Sequence, residues 1–178
     1  MRRIPSITSS RGFTLLELIV VVGIIGVVAA IATPGLLRSR MAGNEASAIG
    51  SMRALIAAQQ DFGVISRGYA MDLATLSSKC PGATAGFISP DLSTNGVEKS
   101  GYLFNLVDGL GAVPGAAPDC FGNPTTSNYY VSAAPRDVGT TGARGFAANL
   151  AAAIWQDTSG AAPTEPFVVA GTVSPLGR

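Results

Sequence analysis

Few residues of this chain can do chemistry, and the first is an acid in a costly place. From Phe13 onward the chain is almost wholly apolar for about 20 residues, the length of helix that crosses a bilayer core of ~30 Å. Glu17 lies one turn into that run. An ionised carboxylate in hydrocarbon costs on the order of several kcal/mol unless it finds a partner, so something must neutralise it. Arg2, Arg3 and Arg11 precede the run and no acid does. By the positive-inside rule they hold the N-terminus in the cytoplasm and send the C-terminal part across. A secretory signal shares the basic start, but its apolar stretch is shorter, about 7–15 residues, and ends at a small-residue cleavage site.

The remaining candidates are sparse. Histidine is absent, which removes the commonest general base and the commonest metal ligand together. No phosphate-binding loop, nucleophile elbow, zinc-protease helix or EF-hand loop occurs, so no enzyme, no cofactor and no metal are expected. Gly109 to Gly115 is glycine-rich, but without a lysine or a following helix it reads as a loop. Asp119, Asp137 and Asp157 are the acids left for a calcium site, and they do not cluster in the sequence. Asn123-Pro124-Thr125 fails as a glycan acceptor because of its proline. Cys80 and Cys120 are too far apart for a CxxC redox pair and have no histidine for a zinc site. In a domain outside the cytoplasm one disulfide is the natural reading, and two unrelated buried thiols are the alternative. A net charge of +1 and the lack of an aromatic-interleaved basic patch give no support to nucleic-acid binding.

The specific pattern is Gly12-Phe13-Thr14-Leu15-Leu16-Glu17 followed by unbroken Leu, Ile, Val, Gly and Ala. It resembles the leader and N-terminal helix of the type IV prepilins, a family that includes the type II secretion pseudopilins. The resemblance is strong over residues 11–34 and fades after about residue 66. It implies that a membrane prepilin peptidase cuts between Gly12 and Phe13 and methylates the new amine of Phe13. It further implies that Glu17 is the family's assembly acid, acting with Phe13, and that Pro34 is the helix proline found at that distance from the cut. The new α-amine, with an ordinary pKa of about 8, is largely protonated at neutral pH. It thereby offers the missing cation, in the same helix or in a neighbouring subunit. Loss of the leader takes away three arginines and no acid, leaving nine bases against 11 acids and a net charge of −2. The cytoplasmic positive anchor that would resist extraction goes with it.

The elements that must position these groups follow from periodicity. The helix is expected over about 14–65, roughly 78 Å at ~1.5 Å per residue, with a kink or a melted stretch at Pro34 and Gly35. Past Leu36, residues Ala42, Ala46, Ile49, Met52, Leu55, Ile56 and Phe62 fall on one side, while Asn44, Ser47, Ser51 and Asp61 fall largely elsewhere. Gly68 is the expected C-cap. With 22 Gly and 11 Pro, the remainder reads as loop-rich. A helical turn is expected near 71–76 and strands over 102–107, 128–133 and 144–150, with a short fourth at Ile154 and Trp155. Asp108-Gly109 and residues 140–143 supply turns.

The domain organisation expected is a leader over 1–12, a hydrophobic membrane and assembly helix over 13–35, its amphipathic half over 36–67, and a β-rich head over 68–178. The fold class is α+β, a long N-terminal helix packed against a small antiparallel sheet, as in pilins. The function implied is a structural subunit of a type IV pilus or pilus-like filament; the alternatives are a type II secretion pseudopilin or a minor tip pilin in adhesion or DNA uptake. The implied partners are further copies of the chain or a mixed filament, the prepilin peptidase, an inner-membrane assembly platform, and the membrane itself before assembly. The location implied is the inner membrane first, with one pass and a cytoplasmic N-terminus, and an extracellular pilus or periplasmic pseudopilus afterwards.

Overall fold

A computed structural model describes residues 12–177; the leader up to Arg11 lies outside the described residues. The chain divides into two compact units, one up to Arg38 and one from Ser39 onward. One helix, α1, runs Leu15–Ser66 over 52 residues. It stays helical through Pro34 and Gly35, so no melted stretch interrupts it. Pro34 cannot donate to the carbonyl one turn back, and next to it the Thr33 hydroxyl donates to the Ala29 carbonyl at 2.8 Å.

In the second unit α1 packs against an antiparallel sheet of six strands in sequence order. The strands are β1 (Val97–Lys99), β2 (Tyr102–Asp108), β3 (Tyr129–Pro135), β4 (Gly145–Asn149), β5 (Trp155–Asp157) and β6 (Val173–Pro175). The α+β class expected from the sequence is the one found, and the three main strands fall within a residue or two of their expected bounds. The sheet is wider than expected because β1 and β6 are present. Both have three residues, too short for an alternating pattern to show. The β1–β2 hairpin turns on Ser100 and Gly101, with φ of 51° and 71°, a pair in the left-handed region as a tight two-residue hairpin requires. Asp108 is the last residue of β2, opposite Tyr129; the turn expected there comes slightly later, closed by the Ala112 N–H on the Gly109 carbonyl.

The core follows the strand period of two. Tyr102, Phe104 and Leu106 of β2, Tyr129, Val131 and Ala133 of β3, and Phe146 and Ala148 of β4 are buried against Met52, Leu55, Ile56 and Phe62 of α1. Large residues face small ones across the ladder, Phe104 opposite Ala133 and Ala133 opposite Phe146. A short helix, α2 (Leu73–Ser77), closes one end, with Asp72 as its N-cap accepting from Thr75 N at 2.7 Å.

Three details of α1 depart from the periodic reading. Ala42 and Ala46 are exposed, whereas Glu45, Ser51 and Gln59 are buried. The helix therefore turns a partly polar face to the head, and two of those polar groups have bonded partners there. The Gln59 amide donates to the Ala70 carbonyl at 2.8 Å and accepts its N–H at 2.9 Å, which imitates a strand pairing at a fully buried position. The helix also ends on Arg67, at φ 52°, and Gly68 does not supply the left-handed residue. Gly68 is needed for a different reason: a Cβ there would collide with the side chain of Thr125.

Candidate functional site

Gly12 and Phe13 precede α1 in non-helical, exposed backbone, and Phe13 is 89% exposed. The bond between them is thus presented outside the helical hydrogen-bond ladder. Thr14 then caps the helix. Its N–H and its hydroxyl both donate to Oε2 of Glu17 at 2.9 Å, and its hydroxyl oxygen accepts the Glu17 N–H at 3.2 Å. This is a reciprocal capping box, which satisfies otherwise orphan donors at a helix start. Among the described residues only Oε2 of Glu17 is engaged, which leaves Oε1 for an incoming donor. Sequence reasoning identified Glu17 and overlooked Thr14, although Thr-x-x-Glu ahead of an apolar run is the pattern for such a box.

Beyond the box the apolar residues of α1 as far as Leu37 are exposed, Leu15, Leu16, Ile19, Ile25 and Ile31 among them. It is the one helix among the described residues long and apolar enough to cross a membrane. Gly23 and Gly26 have open space around their α-carbons, so a second helix could approach closely there.

In the head, sequence reasoning missed a buried ion pair. Glu45 is 8% exposed. Its Oε1 accepts from the N–H groups of Ala143 and Arg144 at 2.9 and 3.2 Å, and its Oε2 from Nε and Nη2 of Arg144 at 2.9 and 2.6 Å. Arg144 also donates to Gln156 at 2.8 Å and stands over the Phe146 ring. Asn44 donates to the Thr141 carbonyl at 2.9 Å, so α1 is pinned to the turn between β3 and β4 at two successive residues. Tyr102 donates to the Arg144 carbonyl at 2.8 Å; burial first, and then the Glu45 charge, push its pKa well above the ordinary tyrosine value. No composition signal marks Glu45 or Arg144, since their partnership is between residues 99 apart.

Cys80 and Cys120 are joined, with their α-carbons 5.6 Å apart. Their bond ties the segment after α2 to the long β2–β3 loop. The three scattered acids are not brought together. Asp119 accepts from Phe121 N and Asn123 N within its own loop, Asp157 accepts from Ser159 N, and Asp137 lies beside Arg136. Among the described residues no group of three or more Asp, Glu or Cys is placed to hold a metal.

Comparison with known proteins finds similarity over a minor part of the chain. Residues 7–33 match the family model of the prokaryotic N-terminal methylation motif. The type IV major pilin protein PilA of Myxococcus xanthus is 43% identical over 53 residues, which is 30% of this chain and 24% of that relative. The match thus spans about a quarter of the curated relative's length. No solved structure matches the chain.

Proposed function

We propose, from the methylation motif over residues 7–33 and the partial similarity to a type IV major pilin, that the protein is a structural subunit of a type IV pilus or pilus-like filament. The observation that carries this reading is local. An exposed Gly12–Phe13 bond is followed at once by a capped helix whose first unit is apolar and exposed. Prepilin peptidase cuts after Gly12 and methylates Phe13, and the basic leader leaves. Before assembly the subunit is held in the inner membrane with its N-terminus cytoplasmic, and Glu17 draws on the two donors of Thr14. In the filament Oε1 of Glu17 takes the charged amine of a neighbouring Phe13, so that two groups costly in hydrocarbon neutralise each other. Pro34 and Gly35 provide the place where the helix bends as subunits pack. The partners are further copies of the chain, the peptidase and an inner-membrane assembly platform, and the role is structural, without catalysis.

Mass spectrometry of the protein from its native host tests processing directly. The expected N-terminus is N-methyl-Phe13, and any other mature start refutes the cleavage assignment. Glu17→Val tests the pairing: membrane insertion is expected to persist and fibre assembly to fail. Normal fibres from this variant would sink the pairing argument.

A further inference from the structure

On the face of the sheet away from α1, the chain's only tryptophan borders a depression of about 370 Å³. Strand alternation puts it there. Phe146 and Ala148 point into the core, so Ala147 points outward, and Trp155 stands opposite Ala147 in the ladder. The segment after β5 folds back over this face. Gly145 permits the approach, because a Cβ there would collide with the Ala161 carbonyl, and Tyr130 donates to the Pro163 carbonyl at 2.6 Å. Phe167 is thereby laid almost parallel to Trp155, with centroids 5.5 Å apart and planes at 20°.

Three polar side chains border the rings. Glu165 accepts from Leu110 N at 2.6 Å and from the Asn149 amide at 2.5 Å. Asn128 donates to the Leu110 carbonyl at 3.1 Å. These bonds use part of each group's capacity: each carboxylate oxygen has a second lone pair, and each amide nitrogen a second hydrogen. Donors and acceptors are therefore both left over beside an aromatic wall. Among the described residues no lysine or arginine lines the depression, so Glu165 repels an anion. A wholly apolar occupant would leave those spare lone pairs and amide hydrogens without partners. The volume is at the small end of the range for ligand sites, about 300–1,000 Å³.

We infer that this depression binds a neutral saccharide, one ring or two. A sugar ring has a face of C–H groups that packs on Trp155, and hydroxyls that both donate to Glu165 and accept from Asn128 and Asn149. The inference concerns the head alone and stands whether or not the chain polymerises.

Trp155 is its own reporter. The full chain in detergent is titrated with cellobiose, maltose and N,N′-diacetylchitobiose, with glucuronate and choline as charged controls, following tryptophan fluorescence. A saturable change with at least one neutral disaccharide is expected, weakened at least tenfold in Glu165→Gln. Because Glu165 also ties Leu110 and Asn149, a second variant is needed. Ala151→Trp fills the exposed rim of the depression without touching those bonds, and it should abolish binding, read by saturation-transfer NMR of the sugar. No saturable response to any of the three up to about 50 mM, well past the millimolar affinity of a weak site, overturns the proposal. So does tighter binding of glucuronate or choline, or unchanged binding in Ala151→Trp.

Discussion

Replacing Glu45 by alanine tests whether the helix is held to the head by one buried ion pair. The wild-type carboxylate accepts four bonds, two from backbone N–H groups and two from a guanidinium. Its side chain is 10% exposed and that of Arg144 34%. Removing one partner of a buried pair typically costs about 3–5 kcal/mol, because the other charge is left uncompensated. Arg144 retains some solvent and its bond to Gln156, which puts Glu45→Ala near the lower end, about 3 kcal/mol. For a chain of this size each kcal/mol shifts the melting temperature by about 2–4 °C, so a fall of about 6–12 °C is expected. Thermal and urea melts of the full chain in detergent, followed by Trp155 fluorescence, measure it. A double variant, Glu45→Met with Arg144→Met, separates charge from packing. It should cost about 2 kcal/mol, chiefly the two orphaned backbone N–H groups, and hence less than the single alanine variant. A loss below about 1 kcal/mol for Glu45→Ala, or a double variant as costly as the summed singles, would refute this account of the pin.

Two further outcomes follow from the head. Cys80→Ser with Cys120→Ser opens a loop closed across a separation of 40 residues, which the chain-entropy model values at about 4 kcal/mol; the urea midpoint should fall accordingly, and thiol labelling of both sites in the unreduced native protein would show that no disulfide exists. Burial, and secondarily Tyr69, push the Tyr129 hydroxyl up to about 12, and burial raises Tyr102 and Tyr130 as well. The unfolded chain loses these protons near pH 10 while the folded chain keeps them. Their contribution is therefore intact below pH 10 and lost as pH rises through the folded values. An alkaline titration by phenolate absorbance should show late ionisation, and Tyr129→Phe should flatten the fall in stability over that window.

Much of the first unit is legible in the sequence because its determinants are local. The apolar run, the acid within it and the bond ahead of it are neighbours in the chain, and a helix needs only contacts one turn away. The main strands were also readable, since β2 and β3 have seven residues each and enough alternation to reveal a face. Strands β1 and β6 were not, because three residues carry no period and are held only by the neighbours they pair with. The polar side of α1 misled for a related reason. Glu45 and Gln59 look like solvent-facing residues until the distant chain supplies Arg144 and Ala70 as partners.

By itself, then, the sequence determined a long helix, the place where its apolar part begins, and the carboxylate that must be neutralised there. Only the tertiary structure decided what that helix binds in the head, and where Trp155, Glu165 and Asn149 meet. The physical reason is the range of the interactions. Capping and helical periodicity act within four residues, whereas the Glu45–Arg144 pin and the outer depression join segments whose proximity exists only once the sheet has formed.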